Sequence, residues 1–306
     1  MSLTETDWSF IHVSDMHVGT PRSYRFQPAW KANWETARRQ IIARNPELLL
    51  VGGDMTRDGS THRLELEQAK ADLDQLPFPY HVIPGNHEVG NKYLPGDPVS
   101  IQPRYLEAYR SVFGASSWTL THRGVQFSAF DAFLAGTGLP EEEQLWRWLE
   151  SVERDPDARH HVWMIHPALF IEHLREPDWD IKVDRNAWYF GIDEPSRSRL
   201  FDIFKRTGAD LVISGHIHCR RYLEVEGIAF QFAPATAFPQ WGDRWPDGDD
   251  TLGFLEIDVR EDSLIPRFIP LESVSELKGY GPGGNPPEEG RDYSVAWEQP
   301  SLAHEE

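Results

Sequence analysis

Five stretches of the chain combine aspartate, histidine and asparagine in spacings that hold cations: Asp15-Met16-His17, Gly52-Gly53-Asp54, Gly85-Asn86-His87-Glu88, His166, and Gly215-His216-Ile217-His218. Asp15 and His17 lie two residues apart, and in extended backbone both side chains leave on the same side, so the pair can share one cation. His216 and His218 repeat that spacing around Ile217. Asp54 has two carboxylate oxygens and can bridge two cations. Asn86 offers a neutral carbonyl oxygen and His166 a further imidazole. Oxygen and nitrogen donors without thiolate favour Mn, Fe, Zn or Co over a structural zinc site. Two such cations about 3.5–4 Å apart lower the pKa of a shared water to make hydroxide and hold a phosphate for in-line displacement.

Each stretch ends an apolar run. Leu48-Leu49-Leu50-Val51 reads as a buried strand that stops abruptly at two glycines with Asp54 at its tip, and runs 10–13, 80–83, 161–165 and 211–214 have the same form. Between the first three runs lie two helical patterns. Pro28 opens one that carries Trp30, Trp34, Ala37 and Ile41 at helical spacing and stops at Asn45-Pro46; the other, about 61–76, aligns Leu66, Ala69 and Leu73. Strand, helix, strand, helix, strand predicts a parallel sheet.

Further on, residues 91–103 read as an irregular loop beside the Asn86-His87 tip. A helix then carries Tyr105, Leu106, Tyr109, Val112 and Phe113, a hairpin turns at Thr121-His122-Arg123-Gly124, and Pro140 opens another helix. Residues 167–195 show no clean period but hold Trp179, Trp188, Tyr189 and Phe190, so they read as an excursion packed on the core by its aromatics or as a lid over a substrate pocket. A helix over 196–207, a strand to Ser214 and a strand-rich late part follow, which predicts a second sheet packed on the first. The chain reads as one domain over 1–275, with an acidic Pro/Gly-rich tail over 276–306 that has little to bury.

The ordered series Asp15-x-His17, Gly53-Asp54, Gly85-Asn86-His87-Glu88, His166 and Gly215-His216-x-His218 resembles the calcineurin-like metallophosphoesterase superfamily across about residues 9–260. The resemblance implies an α/β fold, a four-layer αββα sandwich of two mixed sheets flanked by helices. It also implies a ligand partition: Asp15, His17, Asp54 and His218 for one metal ion, and Asp54, Asn86, His166 and His216 for the other. His87 would contact the phosphate and protonate the leaving oxygen, with Glu88 orienting it. Arg57, three residues past Asp54, is either a further phosphate contact or a solvated loop arginine.

Among superfamily members, the loop from Gly53 to Gly59 looks more like the bacterial cyclic-nucleotide and glycerophosphodiester phosphodiesterases than the large Ser/Thr phosphatases. Those phosphatases carry Gly-Asp-x-x-Asp-Arg-Gly, whereas here Arg57 precedes Asp58. The expected substrate is therefore a small phosphodiester. A phosphomonoesterase or Ser/Thr protein phosphatase of the same fold stays open, as does a non-catalytic metal-binding scaffold.

Bulk composition narrows the field. The 306 residues carry 30 Lys+Arg against 49 Asp+Glu, a formal net charge of −19 that opposes contact with nucleic acid phosphates or anionic lipid and so disfavours a nuclease. The single cysteine, Cys219, rules out an internal disulfide and suits a reducing compartment. The first residues have neither a basic start nor an apolar run, and no stretch approaches membrane-spanning length, so the expected location is cytoplasmic. Metal identity and oligomeric state stay open.

Overall fold

The computed structural model describes residues 8–19 and 27–277. The tail from 278 onward and most of the loop after the first strand lie outside the described residues.

Strands β1 (Trp8–Val13), β2 (Leu49–Val51) and β3 (Tyr80–Val82) pair in parallel. They are joined by helices α1 (Pro28–Arg44) and α2 (Arg63–Leu73). Pro28 starts α1, where a missing N–H costs nothing, and Asn45 ends it in the left-handed conformation at φ 48°. Helix α2 is shorter at both ends than the apolar spacing predicts. A one-turn helix, α3 (Asn86–Val89), begins where the third run ends, and α4 (Pro103–Phe113) follows the irregular loop.

A second sheet is built from β4 (Ser117–His122), β5 (Val125–Phe130), β6 (His160–Ile165), β7 (Leu211–Ser214), β8 (Arg221–Val225) and β9 (Ile228–Phe232), in the order β4-β5-β6-β7-β9-β8. Helices α5 (Pro140–Ser151), α6 (Arg185–Phe190) and α7 (Ser196–Arg206) lie in its connections. The last strands, β10 (Gly253–Val259) and β11 (Leu264–Pro270), return to the first sheet and give it the order β11-β10-β1-β2-β3.

This corrects the expectation that the late strands make up the second sheet. That sheet begins at β4, and its late members are only β8 and β9. Strand β11 carries Pro266 and Pro270, residues that deny a sheet its N–H donors, and it is tolerated because it is an edge strand.

Alternation along the strands makes the layers. Phe10, Leu50, Leu255 and Ile257 of the first sheet share a cluster with Phe127, Val162, Met164 and Ile213 of the second, which is the core between the sheets. The alternate residues Ile11, Val13, Leu49 and Val51 pack instead with Trp34, Ala37 and Ile41 of α1. Rings of Phe10 and Phe127 meet edge-on at 5.0 Å, and Trp118 Nε1 of β4 donates to the Val82 carbonyl of β3 at 2.8 Å. Two mixed sheets face each other, with helices on their outer sides.

The excursion over 167–195 is fastened down by charge as well as by aromatics. Arg244 pairs with Asp184 and Glu172, both at 3.0 Å, and lies 4.5 Å over the Trp241 ring. Arg197, at the start of α7, is fully buried among Glu176, Asp178 and Glu194.

Candidate metal centre

The C-terminal ends of the parallel strands in both sheets open onto one rim. Asp15 and His17 follow β1, Asp54 follows β2, Asn86 opens the helix after β3, His166 follows β6, and His216 and His218 follow β7. The loops are stitched together by backbone hydrogen bonds: Asp15 N to Gly53 O at 3.1 Å, His17 N to Asp54 O at 3.0 Å, and Gly215 N to His166 O at 3.0 Å.

The side chains converge by a route other than strand alternation. Asp15, His17, Asp54, His216 and His218 all have positive φ, between 47° and 71°, and they are five of the nine non-glycine residues in that region among the described residues. Strand β1 stops at Val13 and β7 at Ser214, so the i, i+2 pairs sit on left-handed turns, not on extended backbone. Such backbone costs about 1–3 kcal/mol per residue and persists where the surroundings enforce it. The glycines make room: a Cβ on Gly85 would lie 2.1 Å from Asp54 Oδ1.

Ligand atoms of Asp15, His17, Asp54 and His218 lie within 4.8 Å of one another, and so do those of Asp54, His166 and His216, with Asp54 common to both groups. All of them are buried. His166 Nε2 lies 3.2 Å from Asp54 Oδ2 and 3.8 Å from Asp15 Oδ1, and His218 Nε2 lies 3.1 Å from Asp15 Oδ1. Outer partners set the tautomers. His166 Nδ1–H donates to the Gly52 carbonyl at 2.7 Å and His218 Nδ1–H to the Phe238 carbonyl at 2.8 Å, which turns each Nε2 inward, its lone pair available when the ring is neutral.

Asn86 Oδ1 and His216 Nε2 are buried with no hydrogen-bond partner. Two orphaned acceptors beside two buried carboxylates fit a pair of cations.

Electrostatics agree with that fit. Burial alone would raise Asp15 and Asp54, yet the imidazoles around them hold both carboxyls well below the usual carboxylate range. Burial would lower His166, but Asp54 and Asp15 outweigh it and push the ring up to about 9. Burial, with His166 nearby, lowers His216 to about 3. The two carboxylates therefore draw a proton onto His166 that a cation would replace.

His87 projects from α3 with its Nε2 4.0 Å from Asp54 Oδ2, and its side chain is 32% exposed, unlike the buried ligands. Its Nδ1–H donates to the Arg57 carbonyl. Burial opposes charging of this ring, but Asp54, the Arg57 carbonyl and Glu88 together raise its pKa above the ordinary value.

The Glu88 carboxylate is bonded to groups other than the His87 ring. Its Oε1 accepts from Thr56 N at 2.8 Å and Thr56 Oγ1 at 2.7 Å, and its Oε2 accepts from Gly85 N at 2.7 Å, so it ties the loop after β2 to the loop after β3. As the third residue of α3 it faces back along the helix while His87 points outward. The Arg57 guanidinium lies beside Asp58 at 3.8 Å and 6.0 Å from the Trp30 ring. What this residue gives His87 is its backbone carbonyl.

Several neighbours have no motif to mark them. Phe133 packs against His166 and His216, Phe190 lies 4.6 Å from His216, and stacked Trp30 and Phe238 cover His17. Asn91 touches Asn86, and Tyr189 touches Asn91. The carbonyls of Gly52 and Phe238 cannot be read from residue type at all. His12, His160 and His161 lie outside the cluster; His161 bonds Ser128 Oγ at 2.9 Å and the Thr207 carbonyl at 3.0 Å.

A buried set of oxygen and nitrogen donors at the strand ends of a two-sheet sandwich defines a metal-dependent phosphoric ester hydrolase. The family model described as calcineurin-like phosphoesterase matches residues 9–220, and the chain belongs to that family. A protein named serine/threonine-protein phosphatase CPPED1 from Danio rerio is 24% identical over 298 residues, covering 89% of each chain. Its namesake from Homo sapiens is 24% identical over 205 residues, covering 65% of this chain and 58% of its own. Among solved structures, a purple acid phosphatase from yellow lupin (Lupinus luteus) superposes with a TM-score of 0.63 at 15% identity, covering 88% of this chain and 52% of its own. A dimetal phosphatase from Danio rerio superposes with a TM-score of 0.54 at 12% identity, covering 85% of this chain and 95% of its own. These likenesses show the fold. Among the described residues no helix is long and apolar enough to cross a membrane.

Proposed function

We propose that the chain hydrolyses phosphate monoesters of alkyl alcohols, with phosphoserine and phosphothreonine side chains as the substrate class. The observation that carries the alkyl-ester part of this reading is His87, a ring of raised pKa whose Nε2 lies 4.0 Å from Asp54 Oδ2 at the edge of the ligand cluster, while the choice of monoester over diester rests on the names of the relatives. Two cations bound by Asp15, His17, Asp54, Asn86, His166, His216 and His218 would supply an acidified water and neutralise phosphoryl oxygens. The chain's own part is to move a proton. With Nδ1–H committed to the Arg57 carbonyl, a charged His87 presents Nε2–H to the departing oxygen. An alkoxide needs that proton, whereas a nitrophenolate leaves without it. The names of the curated relatives support the serine/threonine class.

A small phosphodiester is the second reading, and the order of Arg57 before Asp58 in the loop after β2 favours it. Rates on a phosphothreonine peptide and p-nitrophenyl phosphate, set against bis(p-nitrophenyl) phosphate, cyclic AMP and a glycerophosphodiester, all in Mn(II), separate the two. Turnover of diesters above monoesters reverses the choice. Absence of turnover on every ester with both cations bound favours the non-catalytic scaffold.

A further inference from the structure

The carboxamide of Asn86 has two ends of nearly equal shape and opposite polarity, and only its oxygen can face a cation. Nothing in Asn86 itself selects that end. The selection comes from whatever holds the other end.

Asn86 Nδ2 donates to Asn91 Oδ1 at 3.2 Å, which turns Asn86 Oδ1 toward the cluster, where it is buried without a hydrogen-bond partner. Asn91 Oδ1 also accepts from the Tyr189 hydroxyl at 2.7 Å. The Asn91 backbone is clamped on both sides, its N–H donating to Val99 O and its carbonyl accepting from Ile101 N, each at 2.8 Å. The adjacent Lys92 donates Nζ–H to the carbonyls of Trp188 at 2.6 Å and Gly191 at 3.0 Å, which grips α6 on either side of Tyr189. The Tyr189 ring in turn lies 5.0 Å from His216. Residues 91–92 and 188–191 thus form one unit behind the half of the cluster that holds Asn86 and His216.

We infer that Asn91 is a positioning residue: by accepting from Asn86 Nδ2 it presents the Asn86 oxygen, in place of the amide nitrogen, to one of the two cations, and Tyr189 of the 167–195 excursion holds Asn91 to that task. This rests on the two-cation reading of the site. Without Asn91 the Asn86 carboxamide is free to invert and turn N–H toward a cation, which repels it. Outer partners of this kind are worth about 10- to 100-fold in metal affinity.

The test is calorimetric titration of Mn(II) into the chelator-stripped full chain, with circular dichroism to check folding. Wild type takes up two cations. Asn91→Leu keeps one at unchanged affinity and weakens the other about 10- to 100-fold. Asn91→Asp, whose carboxylate is acceptor-only, restores it to within about threefold, an outcome that a merely structural clasp would not produce. Should Asn91→Leu fail to fold, Tyr189→Phe weakens the same cation about three- to tenfold through the loss of one hydrogen bond. Wild-type affinity for both cations in Asn91→Leu (in Tyr189→Phe if the former does not fold), or an Asn91→Asp as weak as Asn91→Leu, overturns the inference. A wild-type chain that binds fewer than two cations overturns the two-cation reading, and the role of Asn91 with it.

Discussion

Two side chains separate chemistry from stability at this site. On the proposed reading His87 delivers the proton to the leaving group. His87→Asn is expected to cut hydrolysis of an alkyl phosphate by about 100-fold or more. The same variant should slow p-nitrophenyl phosphate far less, and equal losses on the two esters would remove the acid role. Asp131, just past β5, bears on stability: its Oδ1 accepts from Phe133 N at 3.1 Å, while its Oδ2 is buried without a partner. Burial raises its carboxyl from 3.8 to about 7. The folded chain therefore keeps a proton on Asp131 that the unfolded chain releases near pH 4, and stability falls as pH rises between those values. In chelator-treated protein, Asp131→Asn should gain on wild type by up to about 4 kcal/mol from pH 4 to pH 8. Urea melts with parallel pH profiles for both proteins would contradict this.

At the level of elements, the centre depends on loops that approach more closely than side chains allow. The loop after β3 crosses that after β2 at Gly85, where an added Cβ would lie 2.1 Å from Asp54 Oδ1 and 2.4 Å from Asp54 N. Gly85→Ala is expected to cost about 1–3 kcal/mol in overpacking. By displacing the residue common to both ligand groups, it should also weaken both cations in a Mn(II) titration; unchanged uptake would show that Gly85 does not set the position of Asp54. Glu88 belongs to the same scale, since its three accepted hydrogen bonds join these two loops. The runs that end in Asp15, Asp54, Asn86, His166 and His216 were legible as strands because each is a short apolar block closed by turn residues. The membership of β10 and β11 was not, because a strand's own sequence does not name its neighbour and Pro266 disguises an edge. The partners of Glu88 were hidden for a related reason: adjacency to His87 in sequence places the two side chains on different sides of a helical turn.

For the molecule as a whole, two buried carboxylates, four imidazoles and an orphaned amide oxygen leave the cation-free state short of positive charge. Saturating Mn(II) is expected to raise the melting temperature over that in chelator, with about 2.7 kcal/mol of added stability for each cation bound at a hundredfold excess over its Kd. Because His166 is held protonated up to about pH 9 and must lose that proton to ligate, uptake should release protons and strengthen as pH rises toward 9. Titration in buffers of different ionisation enthalpy measures that release, and a proton count of zero at pH 7 would contradict it. By itself the order of residue types along the chain determined the candidate donors, their grouping at strand ends and the class of chemistry, because ligand chemistry is a property of side chains and apolar runs are a property of strands. Only the tertiary structure decided how those donors meet, since five left-handed turns, the carbonyls of Gly52, Arg57 and Phe238, and the Asn91–Tyr189 contact depend on which loops the two sheets bring together.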